Sequence, residues 1–574
     1  MPQELPTTPG FELVDWAVIL GVLVLTTWIG HRAAGRPSSA REFFLGGRRL
    51  PWYAVAASLI ATEISAVTFI GLPASVALEG GDLTYLQVVL FGALITRGII
   101  AFVLVPVYFE REIYSPYDYV GQRLGASARV VTTVVFSVGG VLAQGARVYV
   151  TALVIEVLLR SQLESVHAAI GMPPLVTAVT LVGVVAVVWT WMGGIATVVW
   201  TDAVLFVLFL VGIGVLGVVL NGQIEGGLLQ AFHDGAEAGK TRVIDTRFAW
   251  EKPHRLGVVL GLASWGMVGD YGCNQLMVQR LLCCPSVAQA RLAVLMSSLG
   301  AIVIAAIAFL GIGLWSWSAT HAFTPELQAL VTQQQDRLLP AFLLQAVPTG
   351  WKGLVLAGVF AAAISSLDSI LAALSQTTMS LFGLDPQGGP AAIRMSRILV
   401  VVFAVVLCAV AVGIRPLHED HPSILTLALR IGALTSGILL GAFVLALSRL
   451  RLRGDGFPWA VAMALVWVLA IAQLESLPPL HFGIVGAAIT IGFVWNTTRR
   501  GASRFHVAQW ILLALMSFGA WALRRNLSVQ LPWPWYAPIG AVLTVTLSWW
   551  LDGARTQAKG CVSNGSDASI ASSD

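Results

Sequence analysis

An all-α polytopic membrane protein of about 15 transmembrane helices is the fold class that this sequence predicts. Three observations predict it. The 574 residues are 57% hydrophobic and only 11% charged, with a mean hydropathy of +0.81. Soluble domains carry roughly 25% charged residues, so this chain has too few to cover a soluble surface. The apolar residues come in continuous runs long enough for a helical crossing, not in the short alternating segments of a barrel. Within those runs, polar groups concentrate at a few places: Ala61-Thr62-Glu63-Ile64-Ser65, Asp202, Asp270 and Ser365-Ser366-Leu367-Asp368-Ser369. A charge inside lipid costs a few kcal/mol at least, so such groups mark working sites.

The candidate spans run 13–31, 52–77, 84–108, 130–159, 173–191, 196–220, 256–279, 292–317, 349–381, 395–414, 422–448, 457–474, 480–497, 508–523 and 535–551. Helix is the only economical reading, because every backbone group must be satisfied within the bilayer. Residues 1–12 are acidic and Pro-rich and lack the basic n-region of a signal peptide. They read as a short extracytoplasmic N-terminus ahead of an uncleaved span. The 31–50 loop carries Arg32, Arg36, Arg41, Arg48 and Arg49, which places it in the cytoplasm. An odd number of spans returns the C-terminus to the same side. The 221–255 and 318–348 loops are polar enough to hold short surface helices. Residues 553–574 are Ser-, Gly- and Asp-rich and read as a disordered cytoplasmic tail. Residues 13–552 then form one transmembrane transporter domain in an inner, plasma-type membrane.

Several function classes fall away. A net charge of +4 gives no case for nucleic acid. No G-x-x-x-x-G-K-[ST] appears, which disfavours ATP-driven transport. No nucleophile–base pair or H-E-x-x-H points to an enzyme. Cys273, Cys283, Cys284, Cys408 and Cys561 make neither a disulfide framework nor a zinc spacing. His418-Glu419-Asp420-His421 is a loop tetrapeptide, and consecutive residues rarely converge on one ion. No protein partner is required by anything in the sequence.

The remaining polar groups have the chemistry of a hard-cation site. At 100° per residue Ala362, Ser365 and Ser369 share a helix face, with Ser366 and Asp368 flanking it. A lone serine in a span often only eases helix packing or bonds its own backbone. Four polar groups on one stripe favour an ion site. The run Ser58–Pro73 mixes Ser, Thr, Glu, Gly and Pro in one span. An unwound stretch near Ala61–Ser65 would expose carbonyls that ligate cations, whereas a Pro-kinked helix would not. Asp202 would be ionised if it faced Asp368 and Ser365 across a bound Na⁺.

Four pieces together resemble the sodium–solute symporter family. They are Val105-Pro106-Val107-Tyr108 with Ser115-Pro116-Tyr117-Asp118-Tyr119 and Arg123-Leu124-Gly125; Thr190-Trp191-Met192-Gly193-Gly194 with Val199-Trp200-Thr201-Asp202; Tyr271-Gly272-Cys273-Asn274-Gln275 with Val278-Gln279-Arg280; and Ala362-x-x-Ser365-Ser366-Leu367-Asp368-Ser369. The resemblance implies a LeuT-like 5+5 inverted repeat, 52–220 and 256–448, with extra N- and C-terminal helices. It implies that the first helix of each repeat is broken, at Ala61–Ser65 and at Gly269–Tyr271. Residue by residue, it implies one sodium site from the carbonyls of Ala61, Ile64 and Ala362 and the hydroxyls of Ser365 and Ser366. A second sodium site would use Asp202, Ser365, Asp368 and Ser369, although Asp368 stands where some members have a hydroxyl. Na⁺ is the implied coupling ion, and a small solute and the lipid bilayer are the implied partners.

The stretch Ser65–Ala74 is similar to the iodide, monocarboxylate and multivitamin branch of that family. Val67 cannot bind a sugar hydroxyl. Arg147 falls near an arginine that sialic-acid carriers keep for the substrate carboxylate, and its planar fork suits a carboxylate. The competing reading of Arg147 is an internal salt bridge to Glu63, Asp270 or Glu156. Thr68, Gln87, Asp270 and Tyr271 complete the expected substrate contacts, with Tyr271 as an inner gate. Arg97 and Arg430 also fall in spans, where buried carboxylates would pair with them. The expectation is a sodium-coupled symporter importing a small organic solute, with a carboxylate or other anion as cargo. The alternatives are a sodium/sugar or polyol symporter and a solute-binding membrane sensor that transports nothing.

Overall fold

The computed structural model describes residues 11–552 except 35–39, 112, 114, 384–389, 417–422, 451, 453, 473–476, 500–503 and 527–530. Helices α1 Leu13–Ala34, α2 Trp52–Glu63, α3 Ala66–Ala77, α4 Val88–Glu110 and α5 Ala126–Leu158 come first. They are followed by α6 Pro174–Gln223, α7 Leu256–Cys273, α8 Gln275–Leu281, α9 Val287–Thr320 and α10 Trp351–Leu381. The last are α11 Pro390–Gly413, α12 Ile424–Leu447, α13 Phe457–Ala472, α14 Pro479–Arg499, α15 Arg504–Asn526 and α16 Tyr536–Asp552. Each expected span is met by one of these helices, by a bent pair, or by half of α6. Among the described residues, 12 helical segments suffice by length and hydropathy to cross a membrane, and the bent pair α2/α3 adds one more.

Packing sorts the helices by their polar content. In α10, 94% of the most apolar window is buried, against 22% for α1, α14 and α15. A helix buried all round sits at the centre of a bundle, and α10 is the one that carries the serine–aspartate stripe. Helix α1 lies against α6 and α10. It contributes Asp15, fully buried, whose Oδ1 accepts the Gly350 (2.7 Å) and Gly353 (2.9 Å) N–H groups. A carboxylate there satisfies free donors at the start of α10 and complements the helix dipole.

Helix α6 joins two expected spans through Gly194, at φ 63° and ψ −159°. Only glycine takes that conformation readily, and a Cβ there would lie 2.3 Å from the Phe43 carbonyl oxygen. The resulting bend aims the Asp202 half of α6 at α10.

Two first helices are broken, one where expected and one displaced. Between α2 and α3 the chain bends 53° through Ile64 (ψ 93°) and Ser65 (ψ 172°). The second break is at Asn274 (ψ 127°), not at Gly269–Tyr271, which stay in a widened helical turn ending at Cys273. Asn274 is the physical reason, since its side chain accepts the Leu276 N–H (3.0 Å) and starts α8 afresh.

The long loops hold the expected short helices, Gly227–Glu237, Pro325–Gln333 and Leu338–Ala346. The last is not a surface helix, for Leu338 to Leu344 are buried. Lys240 Nζ donates to the carbonyls of Val76 (2.9 Å) and Leu78 (2.7 Å) at the end of α3. Asp245 latches the 221–255 loop by accepting from Arg255 Nη1 (2.7 Å) and Arg247 Nη2 (2.8 Å). The Arg247 hydrogen bonds foremost hold its carboxyl down to about 2. A depressed carboxyl stabilises above its unfolded value, about 3.9, and that contribution is lost as pH falls to about 2. Hydrogen exchange across 241–256, corrected for intrinsic rates, should therefore accelerate between about pH 4 and about pH 2. In Asp245→Asn it should be fast already at neutral pH.

Candidate cation and substrate site

Helix breaks release carbonyls, and bundle centres gather side chains. Both occur here. Among the described residues no backbone N–H bonds to the carbonyl of Ala61 or Ile64, because the chain leaves helical geometry just after Glu63. Ser365 and Ser366 on α10 are both fully buried. Arg147 on α5 joins the two helices, its Nη1 donating to the Thr62 carbonyl (3.1 Å) and to Ser366 Oγ (3.4 Å). Ala362 lies in α10 but outside the residues whose side chains are described.

Deeper in the bundle, Asp202, Asp368, Ser369 and Arg280 are all fully buried. Arg280 comes from α8. Its Nε donates to Ser58 Oγ (2.8 Å), its Nη1 to the Leu276 carbonyl (2.7 Å), and its Nη2 to Asp202 Oδ2 (3.1 Å) and Ser369 Oγ. Ser58 Oγ donates to the same Asp202 oxygen at 2.5 Å. Ser369 Oγ lies 3.1 Å from Asp368 Oδ1. Three oxygens are left over: Asp202 Oδ1, Asp368 Oδ2 and Ser365 Oγ are buried without a hydrogen-bond partner. Ser365 Oγ sits beside Asp202 but outside hydrogen-bonding geometry. Unsatisfied buried acceptors are rare and costly. Two carboxylates against one guanidinium leave a deficit of one positive charge, and hard oxygens on two helices suit an alkali cation.

Arg147 also lines a cavity of ≈ 200 Å³, together with Glu63, Thr68, Gln144, Asp270 and Tyr271, with Val67 and Phe136 among its apolar walls. Glu63 is already engaged. It forms a buried ion pair with Arg97 and accepts the Tyr271 hydroxyl (2.9 Å) at its other oxygen. The Arg97 guanidinium also lies 5.6 Å from the Tyr271 ring centroid. Arg147 has no carboxylate within 4.0 Å among the described residues, so the internal salt bridge to Glu63, Asp270 or Glu156 is not formed.

One expectation is corrected. Gln87 does not line the cavity: fully buried, it donates to the His254 carbonyl (2.7 Å) and accepts the Asp245 N–H (3.2 Å), tying down the 221–255 loop. Arg430 donates to the Ala472 carbonyl (2.7 Å). Arg280 is the residue that sequence reasoning passed over. Its only sequence signal was its place in Val278-Gln279-Arg280. Cys273, Cys283, Cys284 and Cys408 are free thiols. The tetrapeptide 418–421 and Cys561 fall outside the described residues.

Against known proteins, the model of the sodium:solute symporter family matches residues 43–463. The sodium/sialic acid symporter SiaT of Proteus mirabilis (strain HI4320) is 24% identical over 483 residues, covering 83% of this chain and 93% of that protein. The sodium-coupled monocarboxylate transporter 1 of Homo sapiens is 27% identical over 510 residues, covering 84% and 78%. Among solved structures, the substrate-bound outward-open state of a Na⁺-coupled sialic acid symporter superposes with a TM-score of 0.70 at 20% identity, covering 94% of this chain and 97% of that one.

Proposed function

The chain belongs to the sodium:solute symporter family, an integral multi-pass membrane protein that moves a small organic solute together with Na⁺, and from that premise we propose that its cargo carries a carboxylate that docks on Arg147. The observation that carries this reading is a guanidinium facing the central cavity with no carboxylate partner of its own. Arginine presents paired donors in a fixed plane, and a carboxylate answers them with two oxygens. Val67 beside it offers nothing to a sugar hydroxyl.

We assign the first sodium to the carbonyls of Ala61, Ile64 and Ala362 with Ser365 and Ser366, and the second to Asp202, Ser365, Asp368 and Ser369. We place the repeats at 52–220 and 256–448, each opened by a broken helix. Arg147 supplies a route for coupling. Its bond to Ser366 Oγ places a positive group on a sodium ligand, and a cargo carboxylate draws that group toward itself. Cargo then favours Na⁺ and, by linkage, Na⁺ favours cargo.

The energetics bear on stoichiometry. At about 100 mV an inward charge releases roughly 2.3 kcal/mol. A tenfold Na⁺ gradient adds about 1.4 kcal/mol. One Na⁺ thus sustains roughly 500-fold accumulation of a solute without net charge, but only about tenfold for a monoanion, whose charge cancels the voltage term. A net-anionic cargo therefore needs a second sodium to be concentrated, and a cargo whose charges cancel does not.

The test is uptake into proteoliposomes under an inward Na⁺ gradient, screened with short carboxylates and hexoses. Carboxylate uptake should vanish when choline replaces Na⁺ at fixed pH. Arg147→Gln should raise the carboxylate KM roughly 10- to 150-fold, the worth of about 1.5–3 kcal/mol for hydrogen bonds to a charged group. Hexose uptake unaffected by that substitution would overturn the assignment.

A further inference from the structure

We infer that the cargo is zwitterionic, a small solute whose carboxylate meets Arg147 while its ammonium meets Asp270. This rests on the carboxylate reading above and narrows it. The charge inventory of the cavity carries it. Four side chains of the acidic and basic types act in or beside it among the described residues: Glu63, Arg97, Arg147 and Asp270. Glu63 and Arg97 neutralise each other in a buried pair, and Tyr271 takes the second Glu63 oxygen. Arg147 and Asp270 remain. They line one cavity from opposite helices, α5 and α7, and are not within 4.0 Å of each other. Asp270 has no hydrogen bond or ion pair to any described residue.

A carboxylate-only solute answers Arg147 and leaves Asp270, half-buried on the cavity wall, with nothing to compensate it. An unpartnered carboxylate becomes costly as cargo displaces the water around it. A solute with both charges closes the inventory to zero. A second observation points the same way. Gln144 lies three residues before Arg147 on α5, is more than nine-tenths buried, lines the cavity, and has an Oε1 with no hydrogen-bond partner. An amide oxygen and a carboxylate are acceptors, and an ammonium has three donors to place. Val67 and Phe136 offer apolar wall to the carbon skeleton between the two charges. At ≈ 200 Å³ the space lies below the usual range of drug-sized pockets, so the solute is metabolite-sized. A zwitterion also has no net charge, so the membrane potential works fully for its uptake.

The experiment compares matched four-carbon solutes in proteoliposome uptake under an inward Na⁺ gradient: butyrate, 2-aminobutyrate, 4-aminobutyrate and butylamine. At least one aminobutyrate should be taken up with a kcat/KM tenfold or more above butyrate, and butylamine should not be carried. Asp270→Asn should bring the aminobutyrate kcat/KM down to that of butyrate, and a Na⁺-induced rise in melting temperature like the parent's reports that the variant is folded. Butyrate equal to or better than both aminobutyrates in the unsubstituted protein overturns the inference and leaves the carboxylate reading standing. Hexose uptake with no carboxylate or aminobutyrate uptake overturns both. Should Asp270→Asn prove inactive toward every solute, the ranking by the unsubstituted protein decides alone.

Discussion

Ser365→Ala is expected to abolish sodium-driven uptake while leaving the protein folded. Ser365 is the one side chain assigned to both sodium ions. It is fully buried, and its Oγ has no hydrogen-bond partner. Removing an unpartnered hydroxyl deletes no internal bond and leaves no orphaned donor or acceptor behind. The fold should therefore tolerate the change within about 1 kcal/mol. The cation should not. Loss even of a group that only orients a metal ligand typically costs 10- to 100-fold in affinity, and a ligand shared by two ions should cost at least that. The apparent Na⁺ constant for uptake should rise by about 100-fold, so that transport at ordinary Na⁺ concentrations disappears. Melting temperature in detergent without Na⁺ should stay put, whereas the Na⁺-induced rise in that temperature should be lost. A variant with normal Na⁺ dependence would remove Ser365 from both sites.

Ser366 makes an instructive comparison. Its hydroxyl already receives Arg147, so its loss disturbs the cargo side and the cation side together. Ser365 separates the two. That contrast follows only from the structure, since the sequence offers Ser365-Ser366 as an undivided pair.

What the sequence disclosed was governed by range. The spans were legible because a crossing helix announces itself locally, by length and hydropathy. The α2/α3 break was legible because Ser, Thr, Glu, Gly and Pro crowd one span. The second break was misplaced by a few residues because Asn274 acts through its cap on Leu276, a bond that composition does not announce. Gln87 misled for the opposite reason. A polar residue in an apolar run looked like a cargo contact, but its partners are backbone groups of a loop 158 and 167 residues away. Arg280 was hidden most completely. Its partners Asp202, Ser369 and Ser58 stand 78, 89 and 222 residues off, so nothing in the local pattern betrays that a guanidinium binds Asp202 and the serine next to Asp368.

That guanidinium sets up the other large effect, the destabilisation expected for Arg280→Ala. Arg280 holds four acceptors on three helices and its own: Ser58, Asp202, Ser369 and the Leu276 carbonyl. Deleting it leaves Asp202 and Asp368 fully buried with no fixed positive charge between them. Breaking a buried ion pair from one side costs about 3–5 kcal/mol, a large share of a stability that is commonly about 5–15 kcal/mol. The variant should express poorly or melt well below the parent protein. A purely steric loss would give the same melting shift, so the diagnostic is cation rescue. If Arg280 is a resident counter-charge, removing it deepens the deficit of positive charge from one to two. Raising Na⁺ should then stabilise Arg280→Ala more steeply than the parent, because a ligand that binds only the folded state adds stability in proportion to the logarithm of its concentration. Arg280→Lys should fall between, since an ammonium keeps the charge but cannot span acceptors placed for a planar fork. A melting temperature of Arg280→Ala that ignores Na⁺ would mean that the two aspartates do not act as a cation site at all.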